Sequence, residues 1–164
     1  MQLLISDTNI LIDLEEGKLM DELFRLPYEF AVPDILFAEE LEAQHRHLLD
    51  MGLSQGELTS ATLHYAVALI QRCSGVSRND CFALALARQE QCPLLTGDQR
   101  LRAAADREGV EVMGTLWIVN QLVCHQIITR EEAKTAYARM RENGRRLPWQ
   151  LALSSLDRID THNP

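Results

Sequence analysis

The sequence predicts an α/β protein in which a parallel sheet carries helices on both faces. Two observations carry this. Short apolar segments alternate with longer helix-patterned ones from residue 1 to about 124. The 164 residues, 46% apolar and 24% charged, are enough for one proper core: folding takes about 27,000 Å² of extended-chain surface down to about 8,000 Å².

Gln2–Ser6 (QLLIS) is short and apolar, as a buried strand is. Asp7-Thr8-Asn9 then caps a helix from about Ile10, whose Ile10, Leu11 and Leu14 share a face and whose end suits Gly17. Leu19–Leu26 reads as a second short helix and Tyr28–Val32 as the second strand. Pro33-Asp34 opens a helix over Ile35–His47, Met51-Gly52 closes that region, and Ser54-Gln55-Gly56 reads as a loop. Glu57–Cys73 is helical, with Leu63, Ala66, Val67 and Ile70 in register. Ser77–Gln89 is an alanine-dense helix, Pro93–Thr96 a strand, Asp98–Arg107 a helix, Val110–Met113 a strand and Thr115–Cys124 a helix. Beyond it, Arg130–Arg141 and Leu147–Arg158 are helical, separated by Asn143-Gly144. This divides the chain into an α/β unit over 1–124 and a C-terminal helical extension over 125–164, packed on the same domain.

No apolar run reaches the ~18 residues of a membrane span. The start MQLLISDTN has neither the basic segment nor the cleavage site of a signal peptide. Cys73, Cys81, Cys92 and Cys124 lack CxxC spacing, so neither a disulfide framework nor structural zinc is expected, and the thiols fit a reduced cytoplasmic protein. The net charge of −8 argues against coating nucleic acid by bulk charge. Residues 129–164, with seven basic against five acidic groups, are the expected phosphate-contacting part.

Four acidic positions recur at matching places. Asp7 follows the first strand and Asp98 follows PLLT. Asp80 lies in the first turn of the helix leading into PLLT, and Glu39, beside Glu40, lies in the helix after the second strand. Sites in open parallel sheets form beyond the carboxyl ends of strands. Carboxylates gathered there repel one another unless hard divalent cations join them, and such cations activate water for phosphodiester cleavage. Each residue also has a structural reading: Asp7 and Asp98 as helix N-caps, Asp80 as part of a capping box opened by Ser77, and Glu39 as a solvated helix residue.

At these residues the sequence resembles the PIN-domain nucleases. The matching segments are SDTNILIDL (Ser6–Leu14), VPDILFAEEL (Val32–Leu41), SRNDCFALALARQ (Ser77–Gln89) and LLTGDQRLRAAA (Leu94–Ala105). The resemblance implies a three-layer α/β/α fold with a parallel sheet of about five strands, and a metal-dependent endoribonuclease. It assigns Asp7, Glu39, Asp80 and Asp98 as catalytic ligands of Mg²⁺ or Mn²⁺. Glu39 is preferred over Glu40 because Ala38-Glu39 fits a small-residue-then-Glu pattern. Thr8 and Asn9 support the first carboxylate and Thr96 the last. Many single-domain bacterial members are VapC-like toxins that form homodimers and are held by an antitoxin protein, so RNA, an antitoxin and a second copy are the implied partners. The segment Val112–Leu122 and the helices after it extend beyond the compact toxin pattern, towards a related PIN-like subgroup.

Arg139, Arg141, Arg145 and Arg146 cluster around Asn143-Gly144, as phosphate contacts or as a solvated surface. Trp117 is expected in the core and Trp149 between the C-terminal helices. His45 and His47, two apart on one helix, face different sides and make a poor metal pair. Two other functions compete. One is an inactive PIN-like module acting through protein contacts. The other is a phosphatase or phosphorelay domain using Asp7, which would want an acid where Asn9 stands.

Overall fold

A computed structural model of the chain describes residues 1–159. Strand β1 (Gln2–Ser6) leads into α1 (Thr8–Glu16) and the short α2 (Met20–Leu23); β2 (Tyr28–Pro33) follows. Next comes one irregular helical stretch made of α3 (Asp34–Leu36), a π-helical turn (Phe37–Leu41) and α4 (Glu42–His45), then α5 (His47–Met51). The remaining elements are β3 (Ser54–Gly56), α6 (Ser60–Arg72), α7 (Arg78–Glu90), β4 (Leu94–Leu95), α8 (Gln99–Arg107) and β5 (Val112–Met113). Helices α9 (Thr115–Cys124), α10 (Arg130–Glu142) and α11 (Trp149–Asp157) end the chain.

The five strands are all parallel, in the order β3-β2-β1-β4-β5, with helices on both sides of the sheet. Right-handed crossovers explain the layering. The chain first winds outward from β1 to β3, which puts α1 and α2 over one face. It then returns across the sheet to β4 and β5, which puts α7 and α8 over the other. The change of direction falls between β1 and β4, where Ile5 pairs with Leu94 and Ser6 with Leu95. A crevice opens at such a point above the strand ends. The strands are buried on both faces: Leu4, Ile5, Leu94 and Leu95 are wholly inaccessible, as parallel strands usually are. No helix among the described residues is long and apolar enough to cross a membrane.

Three expectations are corrected. Ser54–Gly56 is a strand, paired along Ala31–Pro33 of β2; its backbone supplies the pairing although its side chains have little strand propensity. The helix over Ile35–His47 is interrupted by the π turn and breaks again at Arg46. On α6, Ala66 and Leu69 face the core, whereas Leu63 and Val67 are 37% and 50% exposed. The buried stripe of α6 is thus narrower than its apolar stripe.

The C-terminal helices share the core. Ala133, Ala136, Tyr137 and Met140 of α10 and Ala152 and Leu156 of α11 are buried. Met140 packs over Gly17, the end of α1: a Cβ there would meet its Cε at 2.6 Å, and the flexible end of the methionine would have to move aside. Trp149 packs edge-on against Tyr137 with centroids 6.2 Å apart, between the last two helices as expected. Trp117 is half-buried and rests on Tyr28 at 5.5 Å. The cysteines are free, and burial pushes the thiols of Cys81 and Cys92 up to about 11.

Asp13 joins the two parts of the chain. It is buried on α1, accepts Thr115 Oγ1 at 2.8 Å and pairs with Arg145 Nε at 2.6 Å. Arg145 also donates to the backbone oxygen and Oδ1 of Asn9. Removing the guanidinium leaves a buried carboxylate with one hydroxyl partner. Arg145→Ala is expected to lower stability by about 2 kcal/mol in urea unfolding. Adding Asp13→Asn restores part of that loss, because the orphaned charge is removed while Thr115 keeps an acceptor.

Candidate active site

The candidate site sits above the β1–β4 switch point, where three helix N-termini converge. Asp7 is the N-cap of α1, Ser77 that of α7 and Asp98 that of α8; each side chain accepts a first-turn backbone N–H, from Ile10, Asp80 and Leu101 respectively. The structural readings of Asp7 and Asp98 as caps therefore hold. Capping does not exclude a further role, since a carboxylate oxygen that accepts one N–H keeps a second lone pair. The partial positive charge of helix N-termini also favours anions there.

Asp7 is 1% exposed. Its Oδ1 accepts Ile10 N–H at 2.9 Å and its Oδ2 accepts the Thr96 hydroxyl at 2.5 Å. The Thr96 oxygen in turn accepts the backbone N–H of Asp98 at 3.1 Å. Thr96 thus ties the carboxylate after β1 to the turn after β4, and so supports both Asp7 and Asp98. The backbone does the same, with Asp7 N–H donating to Leu95 O at 3.0 Å. Thr8 is buried without a partner for its hydroxyl among the described residues, and Asn9 is engaged by Arg145 rather than by Asp7.

The electrostatics record that the carboxylates are neighbours. Burial pushes Asp7 up to about 6 from an ordinary 3.8, against the two hydrogen bonds, with smaller contributions from the charges of Asp80 and Asp13. Burial also raises Asp80; Ser77 opposes the shift, and Asp98 and Glu40 add to it. Asp7, Asp80, Asp98 and Glu40 therefore form one chain of interacting negative charges.

Glu39 stands differently. Its carboxylate is solvent-facing and ion-paired with Arg78, and it accepts Asn79 Nδ2 at 3.0 Å. Arg78 first, then Asn79, hold it below the usual carboxylate range. Asn79 also donates to Glu40 Oε2 at 2.9 Å, so the two amide hydrogens bridge adjacent glutamates. Both glutamates lie in the π turn. Its extra residue shifts the side-chain register of the helix, and a sequence pattern read at 3.6 residues per turn does not see that shift.

A cleft of about 970 Å³ runs from this cluster to the C-terminal segment. Asp98 and Thr96 line it together with Trp117, Leu116, Arg145, Arg146 and Leu147, whereas Asp7, Asp80 and Glu40 do not. Arg145 is held through Nε by Asp13 and through Nη2 by Asn9. Arg146 and Arg102, which also line the cleft, make no hydrogen bond or ion pair among the described residues. Arg139 and Arg141 do not line it; Arg141 stacks over Trp149 at 5.9 Å. Asp13 and the Arg78–Asn79 clamp carry no signal in the sequence because each acts through a partner distant in the chain, and Arg102 carries none because only the fold brings it to the cleft.

The donor set suits a hard divalent cation. It is all oxygen and anionic, and burial raises Asp7 and Asp80, with smaller contributions from neighbouring carboxylates. The fold and this cluster define the class: an α/β/α protein with an acidic centre at the switch point of a parallel sheet. A family model described as a PIN domain matches residues 3–161, and the chain belongs to the PIN-domain family. PIN domains are generally nucleases and typically use divalent metals. No curated protein matches the sequence.

The buried carboxylate of Asp7 has a cost. A folded-state value above the unfolded one means that folding disfavours the ionised form. That contribution to stability is full below about 4 and is lost as pH rises through about 6. Asp7→Asn is expected to stabilise the metal-free protein at pH 7 by about 1–2 kcal/mol, or roughly 3–6 °C in Tm. Excess Mg²⁺ should raise Tm in the wild type and not in the variant, which differential scanning calorimetry measures directly.

Proposed function

We propose that the protein is a metal-dependent endoribonuclease whose carboxylates are Asp7, Asp80, Asp98 and Glu40. The observation that carries this reading is the Thr96 hydroxyl at the β1–β4 crevice, which donates to the buried Asp7 carboxylate and accepts the backbone N–H of Asp98, so that two carboxylates from different strand ends share one place. Glu40 takes the fourth place in preference to Glu39, because Glu40 acts on Asp80 whereas Glu39 is neutralised by Arg78.

Mg²⁺ or Mn²⁺ held by these residues would supply an activated water and charge neutralisation at a phosphodiester. The chain's own residues do the rest. Thr96 and the Ile10 N–H fix the Asp7 carboxylate so that it does not reorient as charge develops. Asn79 holds the end of Glu40, and Arg78 removes Glu39 from competition. Arg102 and Arg146, the unpaired cations of the cleft, contact substrate phosphates. Arg145 is a positioning residue that holds the 144–148 segment against α1. Trp117 offers an aromatic wall for a base. The toxin role, with an antitoxin partner and a homodimer, is the finer form of this reading, and light scattering of the purified protein measures the dimer.

The test is cleavage of a mixed RNA panel in Mg²⁺ or Mn²⁺, with EDTA and Asp98→Asn as controls. Cleavage is expected with metal only, and to fall by about 10²-fold or more in Asp98→Asn and Glu40→Gln. Glu39→Gln should keep most of the rate. Loss in Glu39→Gln with retention in Glu40→Gln would reverse the assignment of the two glutamates. A folded protein that binds metal and cleaves no RNA would instead favour the protein-binding module.

A further inference from the structure

A second cluster of ligand-bearing side chains lies at the far end of α1 from Asp7. Glu15, in the last turn of that helix, receives two imidazoles. His45 Nδ1 is 2.7 Å from its Oε2 and His47 Nε2 is 3.1 Å from its Oε1. All three donor atoms lie within 4.8 Å of one another. Two residues apart on a continuous helix, these histidines would point to different sides. They converge because the helix breaks between them: α4 ends at His45, Arg46 makes the turn and α5 begins at His47. The sequence-based expectation that they make a poor pair fails for this reason.

The hydrogen bonding within the cluster is incomplete. His45 Nδ1 is shielded from solvent and makes no aligned hydrogen bond, although the Glu15 oxygen is within reach. A buried ring nitrogen without a directed partner is costly. The same three groups would be satisfied together by a cation accepting both nitrogen lone pairs and the carboxylate. Two neutral imidazoles and one carboxylate are borderline donors, which suit Zn²⁺ and its neighbours rather than Mg²⁺. The half-exposed His47 leaves room for water to complete the coordination.

We propose that Glu15, His45 and His47 form a zinc-class divalent-cation site, separate from the carboxylate cluster and selective for a different ion. Its ligands come from α1 and from both sides of the α4–α5 break. Occupancy therefore pins the end of the helix that begins at Asp7 to the stretch that carries Glu39 and Glu40.

The test uses the full chain without an affinity tag, in excess Mg²⁺ so that the carboxylate cluster is filled. Calorimetric titration with Zn²⁺ should show one strong site per chain, and Tm should rise by a few degrees. Co²⁺ should give visible d–d absorption without an intense thiolate charge-transfer band. Asp98→Asn should keep the site. His47→Gln, at an accessible position that tolerates the change, should weaken binding at least tenfold, and Glu15→Gln likewise. Absence of Zn²⁺ binding in the wild type would overturn the proposal. So would unchanged affinity in both variants, or a thiolate band, either of which places the ion elsewhere.

Discussion

The Thr96–Asp7 hydrogen bond is the constraint around which the rest of the molecule is arranged. It spans the gap between β1 and β4, the place where the sheet changes winding direction. Through the same hydroxyl it fixes the start of α8. A carboxylate 1% exposed would ordinarily be neutral or absent. Here two hydrogen bonds and a helix N-terminus hold it, and they do not cancel the effect of burial, since its affinity for a proton still rises. The site is therefore built with unsatisfied negative charge. That charge weakens the metal-free fold, and it is the property a cation-binding centre requires.

The C-terminal helices belong to this arrangement. Asp13, two turns along α1 from Asp7, holds Thr115 on one side and Arg145 on the other. The cleft wall formed by residues 144–148 is thus anchored to the same helix that presents the first carboxylate. The family match to residues 3–161 agrees with this packing, because it runs through the extension as well as the α/β part. Three of the basic residues there divide by role: Arg145 holds Asp13, Arg141 packs on Trp149, and Arg146 has no ion pair among the described residues.

Much of the fold is legible in the sequence because its signals are local. Asp7, Ser77 and Asp98 each cap the helix that follows within three residues, and QLLIS and PLLT are apolar runs between such caps. What escapes is decided by non-local or off-period geometry. Ser54–Gly56 becomes a strand only because β2 offers an edge. The pattern favours Glu39 over Glu40, whereas the π turn and the Arg78–Asn79 clamp set the two apart in a way that no pattern read at 3.6 residues per turn contains. His45 and His47 meet because of a helix break that no proline or glycine announces. The apolar Leu63 and Val67 are exposed because α6 buries only its Ala66 and Leu69 side.

The charge distribution fits the proposed action of a chain of net −8 on a polyanion. Four of its carboxylates stand where hard cations would sit, while Arg102 and Arg146, without an ion pair among the described residues, line the cleft beside Asp98. Without divalent ions the end of the cleft repels phosphate, and two arginines do not offset four carboxylates. With the ions present, the same end becomes the strongest local attraction for a phosphodiester. Substrate affinity and catalysis then depend on one event, the filling of the carboxylate cluster. On the proposed function, an acidic protein of this design would hold a polyanion only where the ions sit, and the rest of its surface would be indifferent to nucleic acid.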